Sequence, residues 1–414
     1  MNGLEASETG AGYAGEAGPR GPDVRSDCWI GLTPTASGGV QIELESTVEP
    51  YYGDSIRELL GRGARALGLE HVEMRVEDGG AYPFVLMARL EAAARRARPE
   101  SNARWLPEMD AVATGSTRRD RFRRSRLYLP GDQPKYMLNA GLHQPDAIIL
   151  DLEDSVAPAA KDAARLLVRN ALRQVDFRGA ERMVRINQGE LGLADLDELV
   201  DHNVHLVLIP KVESAADVQR VDQHVRALTE REVLLMPIVE SAAGVVNAAA
   251  IAAASDRNVA LTIGLEDYTA DLGVPRTEEG RESLWARSAV VNAARAAGLQ
   301  AIDSVYSDVE DAGALRRSVL EARALGFEGK GCIHPRQIRV VHEAFAPDAA
   351  AVERACRVVR AFREAEARGL GVVSLGSKMI DPPVVKRALA TVELALATGR
   401  LAPGWEGEAR GGRS

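Results

Sequence analysis

The sequence predicts an α/β protein whose larger part is a (β/α)8 TIM barrel, preceded by a small α+β domain and followed by a C-terminal helical extension. Between residues 124 and 345, eight short runs rich in Leu, Val and Ile alternate with helical segments. Strands that are apolar along their whole length are typical of parallel sheets covered by helices. Closure into a barrel is the simplest arrangement, and a doubly wound open sheet is the alternative. LPGDQPK follows the first strand, where that alternative usually has GxGxxG.

The predicted strands share a second property, because nearly all of them end on polar residues. The carboxyl ends of barrel strands meet at one face, and this face holds the active sites of such proteins. We therefore expect the polar side chains that follow the strands to converge on one rim. The eight strands are predicted at residues 126–130, 146–154, 183–187, 205–213, 234–241, 260–267, 300–308 and 329–335.

The remaining segments differ from the barrel in composition. The first 25 residues are rich in Gly, Ala, Glu and Pro, so we expect them to be disordered. Short alternating strands and two amphipathic helices then predict a compact domain, which is separated from the barrel by a stretch without periodicity. The predicted segments are a disordered terminus at 1–25, the α+β domain at 26–97, a linker at 98–123, the barrel at 124–345, a helical extension or lid at 346–398 and a loose tail at 399–414.

Composition excludes several classes of partner. The 414 residues carry a net charge of −9 and only 4% aromatic residues, which argues against a nucleic-acid partner. No apolar run reaches the roughly 18 residues of a membrane span, and the N-terminus has no leader pattern. The three cysteines show no CxxC spacing, as expected of a reduced setting. We therefore expect a cytoplasmic protein with a small-molecule substrate.

Two acids on neighbouring strands are the candidate metal ligands. PIVES places Glu240 at the end of the fifth predicted strand, and GLEDY places Asp267 at the end of the sixth. Carboxylates that are brought together repel each other unless a cation binds between them. Oxygen ligands without a nearby His or Cys cluster favour Mg²⁺ or Mn²⁺. The alternative is that these acids only cap the helices that follow.

Basic residues provide candidate groups for binding a carboxylate. The guanidinium groups of Arg124 and Arg185 have paired donors suited to a substrate carboxylate, although each could instead form a structural ion pair. Lys211 ends the fourth predicted strand and could form a Schiff base. Glu213 and the other acids nearby would keep it protonated, which argues against that chemistry.

From residue 124 to about residue 398 the chain resembles the citrate lyase β-subunit family of (β/α)8 lyases. The motifs are RSRLYLPGDQP, AIILDLEDSVAP, VRIN, LIPKVES, PIVESAAG, GLEDYTADLG, GFEGKGCIHPRQI and GSKMIDPP. The resemblance implies Mg²⁺ held by Glu240 and Asp267, with Glu240 also facing the substrate. It implies that Arg124 and Arg185 hold the oxo-acid portion, Arg185 acting in catalysis, and that Glu153, Asp154 and Lys211 surround the metal ligands. It further implies a trimer or hexamer in which Asp381 reaches a neighbouring subunit's site as acid/base.

The N-terminal domain resembles the citrate lyase γ-subunit, an acyl carrier protein. The stretches are SDCWIGLTP, ESTVEPYYGDSIR and VEDGGAYPFVLMARLEAAARRA. In that carrier a serine before an S/G-D dipeptide bears the prosthetic arm. Here the dipeptide is Ser26-Asp27 and the attachment position is Arg25, which has no hydroxyl group. Unless the register shifts to Ser26, the resemblance implies a free coenzyme A thioester as substrate.

These observations favour a lyase that cleaves a carbon–carbon bond of a 3-hydroxyacyl thioester by a retro-Claisen step. Citryl, citramalyl and malyl thioesters are the candidate substrates, and the products would be an acyl-CoA and a 2-oxo acid. The same site could run in the condensing direction. One alternative is a fused β/γ component of citrate lyase that acts on its own tethered citryl group. The other is a non-catalytic protein that binds CoA esters or acts as a scaffold.

Overall fold

A computed structural model describes residues 14–367, 373–375 and 378–405. The chain forms two compact units, one of residues 1–310 and 324–338 and the other of residues 311–323 and 339–414. The first unit contains an N-terminal sheet domain and a closed barrel of eight parallel strands. The predicted barrel with a small preceding domain is therefore confirmed, and the doubly wound alternative is excluded.

The N-terminal domain is a four-stranded sheet in the order β1-β2-β4-β3. The pairs β1–β2 and β2–β4 are antiparallel, whereas β3 and β4 are parallel and are joined through helix α1. Helix α2 packs on the sheet with its apolar residues buried. Its elements are β1 (Gly15–Ala17), β2 (Cys28–Pro34), β3 (Val40–Ser46), α1 (Glu49–Ala66), β4 (Val72–Asp78) and α2 (Pro83–Ala97).

The domain begins earlier than the composition indicated. Residues 15–17 form an edge strand in which Gly15 and Ala17 are buried. A Cβ at Gly15 would lie 2.2 Å from the carbonyl oxygen of Ala93 in α2, so only glycine allows this close approach. The expectation of disorder up to residue 25 was wrong for this stretch, because small residues that suggested disorder serve close packing. Residues 1–13 lie outside the described part of the chain.

Eight parallel strands close the barrel in sequence order, from β5 round to β12 and back to β5. Their carboxyl ends therefore form one rim, as the sequence predicted. The strands are β5 (Ser125–Pro130), β6 (Ala147–Asp151), β7 (Glu181–Arg185), β8 (Leu206–Ile209), β9 (Leu234–Val239), β10 (Ala260–Ile263), β11 (Gln300–Asp303) and β12 (Gly329–Cys332).

Helices follow the strands along the chain. Helix α4 is one example, since its apolar positions are buried while Lys161, Asp162 and Arg173 lie near its two ends. The helices are α3 (Pro134–Met137), α4 (Lys161–Gln174), α5 (Gly189–Leu199), α6 (Ala215–Leu228), α7 (Ala242–Val246), α8 (Ala248–Ala252), α9 (Leu265–Leu272), α10 (Leu284–Ala296), α11 (Ala312–Leu325) and α12 (Pro335–Phe345). None of the helices in the described part of the chain combines the length and hydrophobicity that crossing a bilayer requires.

Alternate residues of the strands fill the barrel interior. Ile149, Met183, Leu208 and Met236 belong to one buried cluster, against which Tyr128 packs. Because side chains alternate across a strand, residue 126 shares the inward face of β5 with Tyr128. The strand register thus decides which polar residues reach the cavity at the carboxyl rim.

Buried ion pairs join the N-terminal domain to the barrel. Arg169 of α4 donates to Glu91 of α2 at 2.7 Å and to Glu198 of α5 at 3.1 Å, and the Arg169 and Glu91 side chains are both inaccessible to solvent. Arg95 of α2 also pairs with Glu198 at 2.7 Å. A buried pair of this kind is costly to break by removing one partner. The two domains are therefore fixed to each other.

The segment between them, residues 98–123, is irregular apart from one short turn at Ala111–Ala113 but makes specific contacts. Trp105 lies against Gly63, where a Cβ would come within 2.3 Å of the indole ring. At its end, Arg123 and Glu181 form a fully buried bidentate pair at 2.7 and 2.8 Å. The predicted linker is thus an irregular segment that packs against both domains.

The second unit contains a helix pair, α13 (Ala349–Glu366) and α14 (Pro382–Ala397), and a short hairpin of β13 (Val373–Leu375) with β14 (Lys378–Ile380). Trp405 is 5% exposed and packs in the core of this helix pair. Arg360 stacks on its ring with a centroid distance of 5.0 Å. The prediction of a loose tail from residue 399 was wrong as far as Trp405, while residues 406–414 lie outside the described chain.

Replacing Arg169 tests whether the domains are fixed by buried charge. Arg169→Ala leaves Glu91 and Glu198 without this partner, so we expect the free energy of unfolding in urea to fall by about 3–5 kcal/mol. The matched control is Arg220→Ala, which removes an exposed pair with Glu190 and should cost less than about 1 kcal/mol. Equal losses in the two variants would contradict the account of the interface.

Candidate active site

A cavity of about 410 Å³ opens at the carboxyl ends of the barrel strands. It is lined by residues of seven strands or of the segments that follow them, including Tyr128, Asp151, Arg185, Glu240 and Asp267. Three of these, Arg185, Glu240 and Asp267, were predicted from the sequence. The barrel therefore brings them to one place.

Glu240 follows β9 and is only 4% exposed. The backbone N–H of Lys211 donates to its Oε1 at 2.7 Å. A Cβ at Gly264 would lie 2.4 Å from its Oε2, so glycine is needed there for the carboxylate to occupy this position. Burial, assisted by the negative charge of Asp267, raises the pKa of Glu240 to about 7.

Asp267 lies in the first turn of α9, and its side chain is 43% exposed. It lines the same cavity as Glu240 but from the solvent side. Within the described chain, no cationic side chain lies within ion-pair distance of Glu240, whereas the Lys211 ammonium is 3.7 Å from Asp267. A buried carboxylate without a cationic partner beside a second carboxylate is a site that a cation would stabilise.

The donor set fits Mg²⁺. Mg²⁺ typically uses one or two protein carboxylates and leaves its other positions to water and substrate oxygens. In the described residues, no group of three His, Cys, Asp or Glu side chains could hold a metal ion. A fully protein-coordinated zinc-type site is thus absent from that part of the chain, and Glu240 with Asp267 would hold the ion.

Arg185 ends β7 and is held in place by acids. Its Nε and NH2 donate to both oxygens of Asp151 at 2.6 and 2.7 Å, and NH1 lies 3.1 Å from Glu153. Burial opposes ionisation of Asp151, but the paired Arg185 contact outweighs it and lowers the pKa of Asp151. The guanidinium also lies over the Tyr128 ring, 5.4 Å from its centroid. Asp151 was not among the predicted site residues.

Lys211 lies among the acids of the rim. Its ammonium is 3.3 Å from Glu153, 3.6 Å from Asp154 and 3.7 Å from Asp267. Partial burial opposes its charge, but these three acids outweigh it and raise the pKa of Lys211. An amine kept protonated is a poor nucleophile, which argues against a Schiff base. Its φ of 50° is unusual for a side-chain-bearing residue and orients its N–H toward Glu240.

The structure does not bring Arg124 to the cavity. This residue precedes β5, at the opposite end of the strand from the rim, and pairs with Asp146 at 2.8 Å. The expectation that Arg124 holds the oxo acid was therefore wrong about its position. Arg126, two residues further along, lines the cavity instead. The sequence could have indicated Arg126, because it is a charged residue inside an apolar strand and lies two positions from Tyr128, on the same face of that strand.

Asp381 lies in the second unit and caps helix α14, accepting from the N–H of Val384 at 3.1 Å. It is half-buried. Its role as an acid/base for a neighbouring subunit stays a prediction.

Two models of known protein families match this chain. A model described as HpcH/HpaI aldolase/citrate lyase matches residues 124–335. The chain belongs to this family. A second model, described as malonate decarboxylase delta subunit, matches residues 21–97, so the predicted resemblance of the N-terminal domain to an acyl carrier is also confirmed.

Individual proteins that are similar to this chain each cover about two thirds of it. Citrate lyase subunit beta of Haemophilus influenzae is 42% identical over 286 residues, 66% of this chain and 97% of that protein. Human mitochondrial citramalyl-CoA lyase is 36% identical over 290 residues, 66% of this chain and 85% of that protein. The crystal structure of Mycobacterium tuberculosis CitE with magnesium, acetoacetate and coenzyme A has a TM-score of 0.56 at 34% identity, covering 67% of this chain and 99% of that one.

The raised pKa of Glu240 predicts a pH dependence of stability in the metal-free chain. The folded protein keeps this proton up to about pH 7, whereas the unfolded chain loses it near pH 4.3. Between these values the folded state binds more protons, so stability falls as the pH rises. Relative to Glu240→Gln, the wild type should lose roughly 3 kcal/mol between pH 4 and pH 8. Urea unfolding in EDTA measures this difference, and a difference independent of pH would contradict the assignment.

Proposed function

We propose that this protein is a Mg²⁺-dependent carbon–carbon lyase that cleaves a 3-hydroxyacyl-CoA thioester into an acyl-CoA and a 2-oxo acid. The observation that carries the proposal is the buried carboxylate of Glu240, which has no cationic partner in the described chain and shares a cavity with Asp267 and Arg185. The names of relatives, which include a citramalyl-CoA lyase, support the same reaction class. The CitE structure with magnesium, acetoacetate and coenzyme A supports the ligands.

Glu240 and Asp267 would hold the ion, which would act as a Lewis acid toward the substrate oxygens. Arg185 binds the carboxylate of the oxo-acid portion, and Asp151 fixes its orientation through two hydrogen bonds. Such preorganisation can lower the barrier by several kcal/mol. The hydroxyl proton passes to solvent, the oxygen forms the carbonyl of the 2-oxo acid as the carbon–carbon bond breaks, and the electron pair of that bond moves to the thioester α-carbon. Asp381 of a neighbouring subunit supplies the proton there.

The N-terminal domain favours a free thioester over a tethered one. The position that aligns with the arm-bearing serine is Arg25, and the next residue, Ser26, has a φ of 56° with its N–H bound to the carbonyl of Gly79. Asp27 is buried against Arg89, which also donates to the carbonyl oxygen of Asp132 in the loop after β5. A carrier must move its arm between sites, whereas this domain is fixed to the barrel.

The similarity of residues 21–97 to a carrier family supports a second candidate, a fused component that acts on a thioester attached to Ser26. Intact-mass spectrometry after coexpression with enzymes that attach the arm distinguishes the two. We expect an unmodified mass for the wild type. An added mass that disappears in Ser26→Ala would favour the tethered substrate.

Removal of either metal ligand tests the lyase assignment. Glu240→Ala and Asp267→Ala should each lose at least about 100-fold in Mg²⁺-dependent release of 2-oxo acid, because charge on the substrate oxygen is no longer stabilised. The assay uses citryl-, citramalyl- and malyl-CoA with and without Mg²⁺. Glu266→Gln is the matched control, since Glu266 is adjacent to Asp267 but pairs with Arg276.

Full turnover by either alanine variant would contradict the assignment of that residue as a metal ligand. Saturable binding of the thioesters by the wild type without any turnover would favour the non-catalytic alternative.

Mixing two inactive variants tests whether subunits share a site. If Asp381 acts in a neighbouring subunit of a trimer or hexamer, Asp381→Ala and Glu240→Ala should each be inactive. Subunits reassembled from a mixture of the two should regain activity, because some sites then contain both intact residues. Absence of recovery in a mixture that light scattering shows to be oligomeric would contradict the shared site.

A further inference from the structure

Arg126 is a charged residue in the interior of the barrel. It lies on β5, two residues before Tyr128, and is 1% exposed. Together with Thr262 of β10 it lines the cavity at a deeper level than Glu240 and Asp267. Two residues along a strand correspond to about 6–7 Å, so its Cα lies roughly that far from the Cα of Tyr128, on the side away from the carboxyl rim.

The hydrogen bonds of this guanidinium are weak or missing. One terminal nitrogen donates to Thr262 Oγ1 at 3.0 Å and the other to Met236 Sδ at 3.0 Å. A thioether sulfur is a weak acceptor. Within the described residues, Arg126 Nε is buried and has no hydrogen-bond partner.

The other buried arginines in the described part of the chain have the partners that Arg126 lacks. Four of them form ion pairs with buried carboxylates, and Arg182 donates to two main-chain carbonyl oxygens. The nearby acid Asp303 already pairs with Lys330 and Arg287. The four pairs are Arg89–Asp27, Arg123–Glu181, Arg169–Glu91 and Arg287–Asp303.

An arginine side chain stays protonated in a protein, so the interior holds an uncompensated positive charge. Burial without a counter-ion is unfavourable, and an anion that enters the cavity would relieve it. Arg185 is less able to attract a second anion, since its own charge is already balanced by Asp151 and Glu153. The cavity therefore offers two levels for carboxylates, one at the rim and one beside Arg126.

We propose that Arg126 binds a second carboxylate of the substrate, so that the cavity selects a 3-hydroxyacyl-CoA thioester whose 2-oxo acid product is a dicarboxylate. This inference rests on the proposed lyase function. Citryl-CoA has this property because it releases oxaloacetate. Citramalyl-CoA and malyl-CoA do not, because they release pyruvate and glyoxylate.

Arg126→Met tests the selection, because Met keeps much of the volume and removes the charge. Wild-type kcat/KM should be higher for citryl-CoA than for the other two thioesters. The variant should lose about 10- to 100-fold for citryl-CoA, the value of a charged hydrogen-bonded contact, and change little for the others. Arg182→Met is the matched control, since it removes a buried arginine away from the cavity and should keep the substrate ratio unchanged.

A binding measurement does not depend on turnover. In EDTA, oxaloacetate should raise the Tm of the wild type more than pyruvate does, and Arg126→Met should abolish this difference. The variant should be at least as stable as the wild type, because the lost charge had no counter-ion. An unfolded variant would therefore count against the inference.

The remaining outcomes separate the two proposals. Equal losses on all three thioesters, or a wild-type preference for citramalyl- or malyl-CoA, would overturn the role of Arg126 and leave the lyase function standing. Absence of wild-type turnover on every thioester would overturn the proposed cleavage of free CoA thioesters. The comparison of oxaloacetate with pyruvate in EDTA would then decide the role of Arg126 alone.

Discussion

The site depends on one carboxylate that is buried without a cationic partner in the described chain. Glu240 is placed at the end of β9, where the glycine at 264 leaves room for its oxygen and the strained backbone of Lys211 directs an N–H to it. Left to itself this carboxylate would be protonated near neutral pH. Asp267 adds a second negative charge from the solvent side, so a bound cation would favour the ionised form of Glu240.

The cationic side chains that the structure describes around the cavity leave the charge of Glu240 without a partner. Lys211 is close to Glu153, Asp154 and Asp267 but contacts Glu240 only through its backbone, so its ammonium does not neutralise the buried acid. Arg185 is turned toward Asp151 and Glu153 and presents a fixed guanidinium face to the cavity. Deeper inside, Arg126 forms no ion pair with an acid of the described chain, which gives the cavity a second place where negative charge on a ligand is favourable.

The N-terminal domain, which resembles an acyl carrier, is held against the barrel by buried charges. Its helix α2 contributes Glu91 to a pair with Arg169 that is inaccessible to solvent, and Arg89 connects Asp27 to the loop after β5. A domain fixed by buried charges cannot carry an arm between distant sites. The arginine at position 25, in place of a serine, supports the proposal that this domain carries no prosthetic arm.

The sequence predicted the barrel and the Glu240–Asp267 pair because both follow from the order of apolar strands and polar strand ends. The same reasoning could not decide whether Arg124 or Arg126 reaches the cavity, since motif spacing does not show which one lies on the inward face of β5. Gly15 and Trp405 were assigned to loose termini because composition carries no information on tertiary contacts. The partners of Arg169 come from α2 and α5, far apart in sequence, so only the fold could reveal them.

Calorimetric titration of the metal-free protein with Mg²⁺ tests the central claim most directly, since it measures binding of the cation that Glu240 and Asp267 are proposed to hold and does not depend on knowing the substrate. The account predicts one ion bound per chain in the wild type and an affinity at least about 100-fold lower in both Glu240→Gln and Asp267→Asn. Binding of Mg²⁺ to both variants with wild-type affinity would contradict it.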